Sequence, residues 1–189
     1  MQLSNALSDT VVAVVSLFVF FRYFSQTPFY NKLLWGIFVV TVALAAATGT
    51  IRFLGVDSVK FLHTSLTTLA GSLGLSCAVV AIYGLVLSQT FRRNVLIFTT
   101  IVGIFIYVLL SYPAFKPFQQ VVASLAMLVA MLIAVFGLLQ KYKKALWIVI
   151  GIMIIGIATK LMANYSATVA TDMYHYALAG MILCFGKAV

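Results

Sequence analysis

The chain alternates long apolar runs with short groups of charged residues, prolines and other turn formers. The runs are about 20 residues long, the length of a helix that crosses a bilayer, and they lack the alternation of barrel strands. In hydrocarbon every backbone amide needs an internal partner, which favours helices. The pattern predicts a single domain, residues 1–189, with seven helices at 9–24, 32–54, 58–87, 94–112, 118–139, 145–165 and 170–186.

Composition places most of the chain in lipid. With 64% hydrophobic and 8% charged residues, 189 residues carry too little polar surface to cover a water-soluble globule. The formal charge of +9 does not indicate a nucleic-acid partner, because the 12 Lys and Arg residues are scattered between apolar segments. We therefore predict an all-α polytopic membrane protein, a seven-transmembrane-helix bundle whose partners are membrane lipids.

The basic residues of alternate loops predict the orientation of the bundle. Eight lie in the first, third and fifth loops or at the C-terminus: Arg22, Lys32, Arg92, Arg93, Lys141, Lys143, Lys144 and Lys187. Four lie on the opposite side: Arg52, Lys60, Lys116 and Lys160. The positive-inside rule then puts the N-terminus outside and the C-terminus in the cytoplasm. Because the first seven residues lack the basic residues of a signal peptide, we expect helix 1 to remain in the mature protein. The expected location is a bacterial inner membrane.

The order of the helices leaves a carrier as an open alternative. Helices 1–3 and 5–7 could form two parallel halves around helix 4, as in small sugar carriers built from repeats. The third helix of each half begins with an aspartate and then a histidine, Asp57 with His63 and Asp172 with His175. The chain lacks the Pro-Gln step of those carriers. A retinal protein is not expected, since the lysine of the last helix, Lys187, is close to its end.

All the acids and both histidines gather at one end of the predicted bundle, which we call the acidic end. It carries the three acids of the chain, Asp9, Asp57 and Asp172, and both histidines, His63 and His175. An ionisable group at the centre of a bilayer costs about 2.5–3.5 kcal/mol on insertion scales, so such groups normally pair or face a water-filled cavity. We therefore expect an outward-facing polar pocket between helices 1, 2, 3, 6 and 7.

The residue types in this pocket are suited to acid–base chemistry or to ligand binding. The candidate catalytic residues are His63, His175, Asp172 and Asp9. Asp172 and His175 are three residues apart and share a helix face, so the carboxylate can orient the imidazole. The candidate residues for binding a lipid head group or another small ligand are Lys160, Arg52 and Asp57. Two histidines and an aspartate, His63, His175 and Asp9, could hold a zinc ion with one position open for water.

A structural role for the same residues is the alternative. The charges would then form an ion-pair network that fixes the helix positions, with neutral histidines as hydrogen-bonding groups at the interface. Cys77 and Cys184 lie inside apolar helices without a CxxC pattern, so we expect them to be buried thiols.

Seven helices with aspartate and histidine at one end resemble the CREST superfamily of membrane hydrolases, which includes alkaline ceramidases and adiponectin receptors. Members surround zinc with three histidines, a serine and an aspartate, and two of the histidines are four apart in the last helix. Here His175 matches the first of that pair, Ala179 stands at the second, and His63 is the other histidine of the chain. The resemblance implies a lipid-directed hydrolase. The alternative is a non-enzymatic carrier, sensor or membrane-complex subunit that binds a ligand in the same pocket.

Overall fold

The computed structural model describes residues 2–189, apart from the side chain of Ala163. Within these residues it contains α-helices, short 3-10 helices, a π-helical turn and no strand, so the predicted all-α fold is confirmed. The described chain forms seven long helices: α1 (Leu3–Arg22), α2 (Phe29–Phe53), α3 (Asp57–Val86), α4 (Arg93–Ser111), α5 (Gln119–Leu139), α6 (Ala145–Leu161) and α7 (Ala167–Ala188). Short 3-10 helices follow α1, α4 and α6: Phe24–Gln26, Pro113–Phe118 and Met162–Asn164.

Length and apolar composition suit most of these helices to a membrane. Five helices in residues 2–189, α1 to α5, are long and apolar enough to cross a bilayer. α6 is apolar but has 17 residues. α7 has 22 residues, and its first half carries Thr168, Asp172 and His175. The chain is therefore a helical, membrane-integral protein.

Proline and glycine help to set the ends of the helices. Pro28, with φ −54°, directly precedes α2 and has the backbone angle of a helix start. Gly55 lies just beyond α2 with φ 104°, a left-handed conformation that favours glycine and ends a helix. Pro113 and Pro117 lie in the 3-10 helix between α4 and α5. Because proline has no amide donor, these residues separate α4 from α5.

α3 is one long helix whose pitch changes near its centre. An α-helical segment, Lys60–Leu69, leads into a π-helical turn, Ala70–Gly74, and a second α-helical segment follows, Leu75–Val86. A π turn widens the helix locally, and such turns are frequent at functional sites. This one lies beside the cavity described below.

Six of the described helices form a ring. α1 packs on α2, α2 on α3, the second half of α3 on α5, α5 on α6, α6 on α7, and α7 back on α1. α4 lies outside the ring and packs on the π turn and both halves of α3. The most apolar stretch of α2 is 56% buried, whereas those of α4 and α5 are each 17% buried. α4 and α5 therefore leave most of their apolar surface for lipid.

Aromatic packing fills the bundle toward its other end, which we call the basic end because Arg22, Lys32 and most other cations lie there. Phe24 stacks on Trp35 with ring centroids 4.1 Å apart. Trp35 also contacts Phe38 and Phe185, each at 6.3 Å. These four rings, the aromatic cluster, are almost completely buried. Because helices in lipid associate mainly through van der Waals packing, the cluster ties the 3-10 helix after α1 to α2 and α7.

Hydrogen bonds join the connections at the basic end. Asn31 Nδ2 donates to Gln89 O at 2.8 Å, and its Oδ1 accepts from Phe91 N at 3.0 Å, which fixes the α3–α4 connection to α2. The Tyr142 hydroxyl donates to Ala188 O at 2.5 Å. Burial raises the pKa of Tyr142, so the phenol keeps the proton of this bond at neutral pH.

The observed helices correct the predicted boundaries, most of all in α1. That helix begins at Leu3 and not at residue 9, so Asp9 lies inside it. α2 begins at Phe29 rather than 32, and α7 begins at Ala167 rather than 170. The polar residues before Asp9 resemble a helix end in the sequence, but Ser4, Asn5 and Ser8 are hydrogen-bonded to Asp172 of α7. The remaining boundaries lie within a few residues of the predicted ones.

Candidate functional site

Asp9 is a buried carboxylate on α1 at the acidic end of the ring. It is 2% exposed. Its Oδ1 lies 3.2 Å from His175 Nε2 on α7, and this is the single acid–base contact within 4.0 Å in residues 2–189. Its Oδ2 is buried and has no hydrogen-bond partner in the described chain. An unsatisfied buried carboxylate oxygen is costly, so this atom is a candidate for ligand binding.

His175 connects Asp9 to a second carboxylate through a serine of α1. Ser8 Oγ lies 3.0 Å from His175 Nδ1 and donates to Asp172 Oδ1 at 2.7 Å. Asp172 accepts further hydrogen bonds from Ser4 and, with the amide nitrogen turned toward it, Asn5. The series Asp9, His175, Ser8 and Asp172, which we call the acid–histidine chain, joins α1 to α7.

The partners determine where the protons of this chain lie. Ser8 has one proton to donate, and Asp172 is its nearest acceptor. Ser8 must therefore accept from His175, whose Nδ1 carries a proton. The facing atoms, His175 Nε2 and Asp9 Oδ1, then share one proton. Because the pair of His175 and Asp9 is neutral in total, no group of the acid–histidine chain compensates the charge of Asp172.

His63 on α3 is oriented by a backbone carbonyl of α2. Its Nδ1 lies 3.0 Å from Ala45 O. A carbonyl oxygen can only accept, so Nδ1 carries the proton, and Nε2 of the neutral ring is an acceptor. The Phe53 ring packs on the imidazole with centroids 6.3 Å apart. The Arg52 guanidinium lies over the same Phe53 ring, 5.4 Å from its centroid. The imidazole is therefore held between α2 and α3 with its acceptor nitrogen unused by Ala45.

Gly49 on α2 allows Asp9 and His63 to approach the same stretch of backbone. A Cβ at this position would lie 2.1 Å from Asp9 Oδ2 and 2.9 Å from His63 Cε1. Both distances are shorter than real Cβ contacts, so a side chain here would displace one group or the other. The unpartnered oxygen of Asp9 and the edge of the His63 ring thus meet at Gly49.

These groups lie in the wall of a large cavity inside the helix ring. Its volume is about 830 Å³, within the range of small-molecule sites. One end, the head of the cavity, is lined by Asp9, His63 and His175 and by other polar residues that include Thr67, Thr68, Gln119, Gln120 and Thr159. The remainder, the tail, is mostly apolar and includes Phe38, Val42, Leu75, Met127, Met131 and Ile152. Polar and apolar parts are therefore separated along the cavity.

The cavity is elongated along the helices. On α5 its lining extends from Gln119 to Met131, a distance of about 18 Å at the rise of an α-helix. On α2 the lining ends at Phe38, which contacts Trp35 of the aromatic cluster. The tail thus ends on the packed rings toward the basic end.

Two glycines widen the cavity. Gly71 lies in the π turn of α3 and Gly156 lies on α6, and both line the cavity. A Cβ built at either position would have no described atom within 4 Å beyond its own neighbourhood. Gly71 and Gly156 therefore leave open space in the cavity, whereas Gly49 permits a close contact between side chains and backbone.

The three predicted ligand-binding residues lie apart from the cavity. Lys160 and Asp57 are exposed, and Arg52 is half-buried over Phe53; none of the three lines the cavity as described. Lys160 directly follows the lining residue Thr159, so it is turned about 100° away around α6. The four predicted catalytic residues do lie together, three in the cavity wall and Asp172 behind it.

The hydroxyl, imidazole and carboxylate of the acid–histidine chain follow the order of a serine-hydrolase triad. Ser8, however, is 0% exposed and already donates to Asp172, so a substrate cannot reach its oxygen. Within the described chain, no group of three or more His, Cys, Asp or Glu is placed to hold a metal ion. The zinc site of His63, His175 and Asp9 therefore stays a prediction. Cys77 and Cys184 are buried thiols.

Sequence reasoning missed the donors that hold Asp172. Ser4 and Ser8 are four residues apart, as are Asn5 and Asp9, so all four share one side of a helix. That spacing is the sequence signal for these donors, and a helix predicted to begin at residue 9 excludes them. Gly49 carries no sequence signal of its role, since its importance depends on groups from α1 and α3.

Over residues 4–189 the chain matches, and belongs to, the Family of unknown function (DUF6962). No curated protein and no solved structure matches it. Family membership assigns no activity, so a function has to follow from the cavity and the acid–histidine chain.

Proposed function

We propose that this protein binds a single-chain amphiphile in its central cavity, with the polar group in the head and the chain in the tail. The observation that carries the proposal is the division of one elongated cavity of about 830 Å³ into a polar and an apolar part. Ligand pockets are typically apolar with a few polar groups that fix orientation. Here the orienting groups are Asp9, His63 and His175.

We further propose seven membrane crossings. α6 and its following 3-10 helix, Met162–Asn164, form a continuous helical segment, and α7 at 22 residues is about 33 Å long, against a hydrocarbon core of about 30 Å. α6 packs on α5 and α7, and α7 packs on α1, so both belong to the bundle. The excess of Lys and Arg at the basic end favours a cytoplasmic C-terminus and an outside N-terminus in a bacterial inner membrane.

Reporter fusions test this topology. A fluorescent protein fused after Val189 should fluoresce, because that end faces the cytoplasm. Alkaline phosphatase inserted in Pro113–Phe118 should be active, because this connection lies at the acidic end, outside. Inactivity of both reporters would reverse the orientation, and activity of only one would contradict an odd number of crossings between this connection and the C-terminus.

Bound-ligand analysis tests the cavity. The protein extracted in native lipid and examined by native mass spectrometry should retain an amphiphile that survives removal of bulk lipid. Gly156→Leu, which projects a side chain into open space, should lose that ligand while Gly156→Ala keeps most of it. An amphiphile retained equally by both variants, or absent from the unmodified protein, would contradict cavity binding.

Hydrolysis of a lipid ester or amide is a second candidate function. It is favoured by the two acceptors at the head, Asp9 Oδ2 and His63 Nε2. Either could take a proton from a water molecule as the water oxygen attacks the carbonyl carbon. The proton would then pass to the alcohol or amine that leaves when the ester C–O or amide C–N bond breaks. Zinc held by His63, His175 and Asp9, the ligand set predicted from the sequence, would activate that water. His175 would then have to exchange its proton-sharing contact with Asp9 for the metal.

Metal analysis separates the two functions. Stoichiometric zinc in purified protein, lost in both His63→Ala and His175→Ala, together with turnover of a long-chain ester or amide, would support hydrolysis. Metal-free protein that retains its amphiphile without turnover would leave binding as the function.

A further inference from the structure

The head of the cavity offers acceptor atoms without matching donors. Asp9 Oδ2 is buried and lacks a partner in residues 2–189. His63 Nε2 is an acceptor, since Ala45 O keeps the ring proton on Nδ1. Both groups lie against Gly49. A ligand group that reaches the oxygen therefore also meets the imidazole, and it must bring its own protons.

The charges around this point favour a cation. Asp172 only accepts hydrogen bonds and leaves the acid–histidine chain with a negative charge. Arg52, at the acidic end of α2, lies over the Phe53 ring and forms no ion pair with Asp9 or Asp172 within residues 2–189. Lys60 and Lys160 are exposed. A buried negative charge is costly without a partner, and a bound cation would supply one.

We propose that the ligand is a long-chain primary amine bound as its ammonium ion, an inference that rests on the proposed binding function and adds the chemical class of the ligand. An ammonium group has three donors, enough for Asp9 Oδ2, His63 Nε2 and a third partner such as the Thr67 hydroxyl at the head. Asp9 becomes the full carboxylate of an ion pair, and the shared proton moves onto His175. The alkyl chain of the amine lies in the tail of the cavity.

Other head groups fit less well for stated reasons. A carboxylate or a phosphate would bring a negative charge beside Asp9 and the negatively charged acid–histidine chain. Like charges at close range repel. An alcohol carries one donor and would leave one of the two acceptors unsatisfied. A quaternary ammonium has the charge but no N–H donors.

A competition between ligands of one chain length tests the proposal. The full-length protein in nanodiscs at neutral pH would be titrated with hexadecylamine, hexadecanol and hexadecanoate, and occupancy would be read by native mass spectrometry. We expect the amine to bind about 10- to 100-fold more tightly than the alcohol, the effect of hydrogen bonds to a charged group. Asp9→Asn should remove this preference while the alcohol still binds. Gly156→Leu should prevent binding of all three.

The outcomes distinguish failure of this inference from failure of the proposed function. If the alcohol or the carboxylate binds as tightly as the amine, and Gly156→Leu still blocks it, the head-group inference is wrong and cavity binding stands. If no probe shows saturable binding that Gly156→Leu blocks, the proposed function fails as well. The ranking in the unmodified protein decides between these results even if Asp9→Asn does not fold.

Discussion

Two sides of the cavity are built in opposite ways. On the side of α1, α2 and α7, the aromatic cluster and the acid–histidine chain join helices that are closely packed, and the most apolar stretch of α2 is 56% buried. On the side of α5, the corresponding stretch is 17% buried, and the cavity lies between this helix and the rest of the ring. One side positions the polar groups, and the other leaves room for a ligand.

Glycine serves different purposes on α2 and on α6. Gly49 is required for contact, because Asp9 Oδ2 occupies the space of its missing side chain. Gly156 leaves a space that no described atom occupies. The same substitution at the two positions should therefore have unequal consequences, which makes the comparison testable.

The largest effect is expected for Gly49→Ala. The new Cβ would overlap Asp9 Oδ2 and approach His63, so the carboxylate must leave His175. We expect a loss of about 3 kcal/mol, the upper part of the range for overpacking a core. Thermal unfolding in nanodiscs measures it, and ligand occupancy should fall in parallel. A melting temperature equal to that of the unmodified protein would show that Asp9 is not fixed at this position.

Ser8→Ala should have the next largest effect, because it removes the hydroxyl between His175 Nδ1 and Asp172. Loss of a hydrogen bond to a charged group costs about 1.5–3 kcal/mol. Ser16 is a matched control on the same helix, since it is equally buried and its hydroxyl lacks a partner in the part of the chain described. Ser16→Ala should leave the melting temperature unchanged or raise it. Equal destabilisation by both variants would contradict the hydrogen-bonded acid–histidine chain.

Gly156→Ala should have the smallest effect on stability. The methyl group enters open space, and alanine is the better helix former by about 1 kcal/mol at most. The melting temperature should therefore stay constant or rise slightly, in contrast to Gly49→Ala. Marked destabilisation would indicate that the space beside α6 is closed and that the cavity is smaller than described.

The sequence predicted the helices better than the site. Seven apolar runs separated by charges and prolines gave helices close to the observed ones, because burial in lipid imposes a simple length rule on each run. The start of α1 was missed for a physical reason: Ser4 and Asn5 are polar yet satisfied by Asp172, a partner that is 168 residues from Ser4 in sequence. Local polarity cannot reveal such a distant acceptor.

The candidate site was predicted in part. The shared acidic end brought Asp9, His63, His175 and Asp172 together in expectation, and the structure places them together. Lys160 was expected with them on depth alone, but rotation around α6 decides whether a side chain faces the cavity. The sequence predicts a polar pocket between helices 1, 2, 3, 6 and 7, but the part of the cavity against α5 could not be predicted, because it depends on how α5 is spaced from α2 across the ring.

Quenching of Trp35 tests the central claim most directly. The chain has two tryptophans, so Trp147→Phe leaves Trp35, which is 1% exposed and contacts Phe38 at the end of the tail. A hexadecylamine with bromine at the methyl end of its alkyl chain should quench the fluorescence of Trp35 saturably. It should quench more strongly than an isomer with bromine on a carbon near the amine end. Adding Gly156→Leu should abolish the effect. Quenching that does not saturate, or that is equal in the blocked variant, would show that the chain stays in the surrounding lipid and would contradict binding in the cavity.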